Sequence, residues 1–172
     1  MINYLYHRVP ENMKGDILYP LNQLKNVYPD IYLKEVEKYK GREEVMKQEV
    51  PYLNCLWNDV LHLSAVHPIE IDNALRKEGT QLSGRLFYEI DPHLLETRNT
   101  VVYLFRDRSK DKSNFVPFDP EEVSEFSIFP KKTQSYYTEV IRRGGRPLLW
   151  VYVPHFMYLG SLNTVGLKII EI

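Results

Sequence analysis

The sequence predicts an α+β domain, with a mixed, largely antiparallel sheet and flanking helices. Two observations predict the class: segments of strand period interleave with segments of helical period, and the strands are joined by helices in some places and by short loops in others. A third sets the organisation. No Ser- or Gly-rich linker and no internal repeat divides the 172 residues, so a single globular domain over 1–172 is expected.

Ile2 to Val9 is rich in aromatic and branched residues and reads as a first strand, ended by Pro10. Pro29 to about Glu49 carries Ile31, Val36 and Tyr39 at helical intervals among Lys and Glu, and Gly41 breaks it into two pieces. After Pro51, Leu56 to Val66 reads as a strand, with Val60 to Ala65 in the sheet. It turns helical at His67-Pro68, and the helix from Pro68 to Glu78 has Pro at its first position and Gly79 beyond its end. Arg85 to Ile90 and Thr100 to Arg106 are strands around the capped turn Asp91 to Leu95. The charged run Arg106 to Asn114 is a solvated loop. At Asp119-Pro120-Glu121-Glu122 the Asp119 side chain can cap a helix start. A further helix over Thr133 to Arg143 ends in basic residues and Gly144-Gly145. Leu148 to Val153, Phe156 to Leu159 and Leu167 to Ile172 complete the strands.

Composition narrows the function classes. With 22 Lys+Arg against 23 Asp+Glu the net charge is −1, so no global field draws a nucleic acid or an anionic membrane, and neither is expected as a partner. A local patch stays open. The lone Cys55 rules out an internal disulfide and reads as a structural thiol, and no His or Cys cluster has metal-ligand spacing, so no metal is expected. Asn3, His7 and Arg8 interrupt the start of the chain, unlike a signal peptide, and the longest apolar stretch, Leu148 to Leu159, is broken by Pro154 and His155. A cytoplasmic location is the corresponding expectation.

No nucleophile elbow, Walker loop or Gly-x-Gly-x-x-Gly occurs. Attention falls on histidine. His7 shares a strand face with Leu5 and Val9, and His62 shares one with Val60, Ser64 and Val66. Polar rings where an apolar core would place Val or Leu imply a cleft between them. His93 and His155 follow prolines and read as turn residues. The thirteen tyrosines suit a stacking pocket for a planar ligand and equally suit a core. Arg142-Arg143-Gly144-Gly145-Arg146 serves as a helix C-cap and offers phosphate-binding chemistry.

Leu5-Tyr6-His7, Val101-Val102-Tyr103-Leu104 and Leu148-Leu149-Trp150-Val151-Tyr152-Val153-Pro154 together resemble the strand order of the ADP-ribosyltransferase-like superfamily. The resemblance implies a split mixed sheet with a cleft for NAD. It gives His7 the ribose-binding role of a first strand, Tyr103 the stacking role of a middle strand, and Glu171 the catalytic carboxylate of a late strand; the strand-face reading, separately, sets His62 on the same cleft as His7 for a nucleotide-like ligand. Glu171 is almost the last residue, a departure from the family pattern that bears on catalysis more than on fold. The alternative is a binding or interaction protein without chemistry that offers a Tyr-rich cleft or the Arg106 to Asn114 loop to a partner.

Overall fold

A computed structural model of the chain describes residues 3–172, so the Ile2 end of the first expected strand lies outside the described residues. The class is α+β, and every strand pairing is antiparallel. One sheet sets β6 (Leu86–Ile90) between β1 (Leu5–Arg8) and β11 (Lys168–Glu171). A second has the order β5 (Leu61–Leu63), β9 (His155–Tyr158), β7 (Thr100–Tyr103), β8 (Phe115–Pro117), and two short ribbons pair β2 (Ile17–Leu18) with β10 (Leu162–Asn163) and β3 (Glu49–Val50) with β4 (Cys55–Leu56). The two meet at one isolated bridge, where Tyr6 and Ser64 exchange backbone hydrogen bonds of 2.7 and 3.1 Å. The expected sheet is therefore split, with β1 and β5 on either side of the join.

Alternation along β5 explains how the second sheet is buried. Leu61 and Leu63 face a core containing Leu5, Tyr88, Val102 and Phe156, while His62 takes the face of its register partner Met157. That face carries a second core of Trp57, Val101, Tyr103, Phe115 and Met157. Helices α1 (Leu21–Val27) and α2 (Pro29–Val36) form a hairpin over the entrance to the split, and two short 3₁₀ turns follow around Gly41, which adopts φ +80°. Gly41 ends the helical stretch because a left-handed backbone suits glycine.

Helix α3 (Pro68–Arg76) starts as its sequence predicts: Pro68 is its first residue, and His67 Nδ1 accepts from the Ile69 amide at 3.1 Å. It packs with α4 (Lys131–Arg142) through Ile71, Ala74, Leu75 and Tyr137. The buried Asp72 carboxylate accepts from the Leu82 amide at 2.7 Å and from Arg76. Burial raises its pKa, but these donors more than offset burial and hold the carboxyl below the usual range. Asp72→Ala should cost about 2–3 kcal/mol in urea unfolding at neutral pH, because it strands the buried Leu82 amide. The loss should shrink as pH falls below the ordinary carboxylate value, since a depressed carboxyl stabilises only while ionised.

Leu148 to Val153, expected as a strand, forms turns instead. Its polar groups explain why. Tyr152 adopts φ +64°, which breaks an extended run, and the Trp150 and Val151 carbonyls accept from the His155 ring and the Thr133 hydroxyl rather than from a neighbouring strand. The strand begins after Pro154, at His155.

Candidate functional site

Where the two sheets part beyond the Tyr6–Ser64 bridge, His7 and His62 line two cavities in common. The larger, about 230 Å³, is walled by the α1–α2 hairpin and the loop before it; the smaller, about 140 Å³, is also lined by His155, Trp150 and Tyr6. Each histidine is fixed by a carbonyl. His7 Nδ1 donates to the Arg8 carbonyl at 2.6 Å, His62 Nε2 to the Trp57 carbonyl at 2.8 Å, and His155 Nε2 to the Trp150 carbonyl at 3.1 Å. A carbonyl only accepts, so the facing nitrogen carries the proton and the opposite one is a bare acceptor in the neutral ring. Those acceptors are His7 Nε2, His62 Nδ1 and His155 Nδ1. The last is buried without a partner among the described residues.

The rings are neutral at physiological pH. Burial lowers the pKa of His7 to about 4, of His62 to about 3 and of His155 to about 4, with the neighbouring His155 adding to the effect at His62 and Lys110 at His155. The His62 and His155 ring centroids are 5.7 Å apart in an edge-to-face arrangement. Among the described residues no group of three His, Cys, Asp or Glu side chains is placed to hold a metal ion.

The larger cavity has an apolar body, including Leu21, Leu24, Ile31 and Val60, and a polar corner at Asn58. Asn58 is 2% exposed; its Oδ1 accepts from the Tyr39 hydroxyl at 2.9 Å, while its Nδ2 has no hydrogen-bond partner among the described residues. The turn Trp57–Asp59 positions both Asn58 and the Trp57 carbonyl that orients His62. Asp59 pins the turn by accepting from the Leu56 amide at 2.7 Å and from Asn22 on α1 at 2.8 Å. The rim charges are paired, Lys14 with Asp30 at 2.7 Å and Lys38 with Glu35 at 3.4 Å. Glu35 is the one carboxylate among the residues lining this cavity.

Of the residues expected to form a site, the structure brings His7 and His62 together and leaves the other two apart. Tyr103 is wholly buried and lines neither cavity; its ring packs behind the site, 5.6 Å from Trp57 and 6.1 Å from His155. Its hydroxyl accepts from Lys110 at 2.9 Å, and the Lys110 ammonium sits 4.1–4.8 Å from the ring centroids of Tyr103, Trp57 and Phe105. Burial pulls the Lys110 pKa down to about 8, and Arg108 adds to the shift. Glu171 is exposed on β11, which β6 separates from β1, and it lines neither cavity.

The remaining polar candidates have structural partners. His67 caps α3, and His93 lies between Asp91 and Glu121 at 2.9 and 3.0 Å, which raise its pKa. The Cys55 thiol is pushed up to about 11 by burial and by Asp59, the opposite of an activated nucleophile. His155 is no turn residue. It opens β9 and joins the cluster, and the chain signals it: both tryptophans precede a histidine by five residues, and both Trp carbonyls accept from that histidine's Nε2.

Comparison with known proteins returns no match to a family model, to a curated protein or to a solved structure. The ADP-ribosyltransferase resemblance thus rests on this chain's own residues. Among the described residues no helix is long and apolar enough to cross a membrane.

Proposed function

We propose that the larger cavity receives the planar, amide-edged heterocycle of an NAD-type nucleotide, and that the chain is an ADP-ribosyltransferase-like, NAD-binding protein. One observation supports the reading above others: His7 and His62, neutral rings that each keep one nitrogen as an acceptor, line one largely apolar cavity together with Asn58. A carboxamide or an adenine edge offers the complementary donor and acceptor, and Leu21, Leu24 and Ile31 suit its ring faces. Uncharged imidazoles recognise such an edge by hydrogen bonding rather than by charge.

In ADP-ribosyl transfer the bond from nicotinamide to ribose breaks, its electron pair leaves with nicotinamide, a carboxylate steadies the oxocarbenium-like carbon, and that carbon bonds to an acceptor nucleophile, water or an acceptor side chain, whose proton passes to solvent, as in glycoside cleavage. In this reading Glu35 takes the role that the family resemblance assigns to Glu171, because Glu35 lines the cavity. A second reading, binding without chemistry, is favoured by the Lys38–Glu35 contact and by the exposure of the Glu35 side chain, 40%.

NAD at 100 times its dissociation constant should add about 2.7 kcal/mol of stability, read as a rise in melting temperature. His7→Ala should weaken binding about tenfold, the cost of one lost hydrogen bond, in calorimetry. Nicotinamide release should fall sharply in Glu35→Gln and stay at the parent level in Glu171→Gln. Release that depends on Glu171 overturns the assignment of Glu35; binding without release leaves the second reading; no shift with NAD ends both as NAD readings.

A further inference from the structure

Another recess, of about 380 Å³, lies on the exposed side of α4 and is lined by Arg108, Lys132, Tyr136, Arg143 and Tyr152 among others. It shares Lys132 and Tyr152 with a more apolar hollow of about 270 Å³ that includes Phe126 and Ile128, the latter 78% exposed. Neither has a lining residue in common with the His7–His62 cavities.

Two of the cations here, Arg108 and Lys132, have no direct ion pair with a carboxylate among the described residues, and the Asp107 carboxylate acts on Lys132 only from beyond ion-pair distance. The Arg108 guanidinium lies 6.0 Å from the Tyr136 ring centroid. The Lys132 ammonium donates to the Arg106 carbonyl at 2.7 Å and lies 4.3 Å from the Tyr152 ring centroid, which leaves further N–H donors unused. The recess's own carboxylate, Glu139, is engaged by Arg143 at 2.6 Å. Asp107, next to Arg108, is occupied by the Ser109 amide and the Asn114 side chain, both at 2.8 Å.

Backbone strain is a second, independent observation. Phe105 and Tyr152 both adopt left-handed conformations, φ +51° and +64°, with ring centroids 5.5 Å apart. Bulky side chains are costly there, and strain of this kind gathers where a side chain is held for a purpose. What the strain fixes is an aromatic step between a cationic recess and an apolar one.

Cations set against the half-buried rings of Tyr136 and Tyr152 combine charge with aromatic surface, the two elements that hold a phosphodiester chain with unpaired bases. We propose that this surface binds single-stranded nucleic acid, with phosphate at Arg108 and Lys132 and bases against Tyr136, Tyr152 and the Phe126–Ile128 hollow. A net charge of −1 gives the chain no long-range attraction, so the patch acts locally and affinity falls in the micromolar range of sequence-independent binding.

The test is fluorescence anisotropy of a short labelled oligothymidylate with the full chain, between about 50 and 200 mM salt. Two phosphate contacts predict a log–log salt slope of about −1.4, and Arg108→Ala should reduce it by about 0.7. Tyr152→Gly relieves the left-handed backbone while giving up the ring's contacts with Phe105 and Tyr136, so its melting is measured alongside, and the folded protein should bind about tenfold more weakly with its slope unchanged. The proposal is overturned by absence of binding at the low-salt end, by a duplex that binds as well as the single strand, or by Arg108→Ala and Tyr152→Gly proteins that melt normally and bind like the parent. His7→Ala should leave oligonucleotide binding intact, so failure at this surface and failure of the NAD reading are separate results.

Discussion

Acidification from pH 6.5 to pH 4 should remove on the order of 5 kcal/mol of stability, enough to unfold a protein of ordinary stability. The source is the trio His7, His62 and His155, which burial holds at about 4, 3 and 4 against an ordinary value of 6.5. The unfolded chain takes up protons as pH falls through 6.5, whereas the folded chain resists until much lower pH. Their stabilisation is thus complete above 6.5 and lost progressively down to the folded values. The full cost of protonating all three rings is larger; about 5 kcal/mol allows for the solvent contact each retains. Charging is unfavourable because each ring already spends its one N–H on a carbonyl, the second proton finds no acceptor described, and the Lys110 ammonium lies close to His155. Urea unfolding at successive pH values checks this, and stability that stays flat from pH 7 to pH 5 would sink it. Asp72 and Asp91 also lose their contributions in acid, around and below the ordinary carboxylate value of 3.8, so the part of the histidine loss that falls above about pH 5 stands clear of theirs. His155→Gln should flatten the curve between pH 6.5 and 4 and, by removing a neighbour that helps to depress His62, ease the His62 contribution at lower pH as well.

That the trio could be only partly read from sequence has a physical cause. Alternation placed His7 and His62 on strand faces, and a polar ring in an apolar row implies a neighbouring polar space, which is information a single strand carries. The third histidine depends on turn geometry. Pro154 and the left-handed Tyr152 turn a run of apolar residues away from the sheet edge and deliver His155 to the start of β9, and a run such as Leu-Leu-Trp-Val-Tyr-Val carries no local mark of that reversal. Helix starts were more legible, because Pro68, His67 and Asp119 act within a residue or two of themselves. The roof of the cavity was not. Leu21, Leu24, Tyr39 and Asn58 meet only through the packing of α1, α2 and the Trp57–Asp59 turn, a contact between segments with no shared period. Glu171 illustrates the converse: its place on a late strand was legible, but the order β1-β6-β11 sets an intervening strand between it and His7.

Tyr103 should prove to be the post on which the back of the site is built. Tyr103→Ala is expected to cost about 3–5 kcal/mol, the range for deleting a buried aromatic ring, or roughly 10 °C in melting temperature for a chain of this size. The ring stacks on Phe105 and Phe115 with centroids 4.9 Å away on each side, meets Trp57 edge-on, and has no solvent exposure, so nothing else can fill the volume. Its hydroxyl is a separate matter. It lies 3.0 and 3.1 Å from the Asp107 and Ser109 carbonyls and accepts from Lys110, which ties the charged loop to β7. Tyr103→Phe keeps the ring and removes the tie, so it should cost only about 1–2 kcal/mol while trypsin cuts faster at Arg106, Arg108 and Lys110. The two variants separate packing from ligand contact. If Tyr103 touched a bound nucleotide through its hydroxyl, Tyr103→Phe would weaken NAD binding; a ring enclosed by Trp57, Phe105 and Phe115 leaves that affinity at the parent level while the loop loosens. Unchanged trypsin cleavage in Tyr103→Phe, with affinity reduced, would instead put the tyrosine back at the ligand and require the cavity to open toward it.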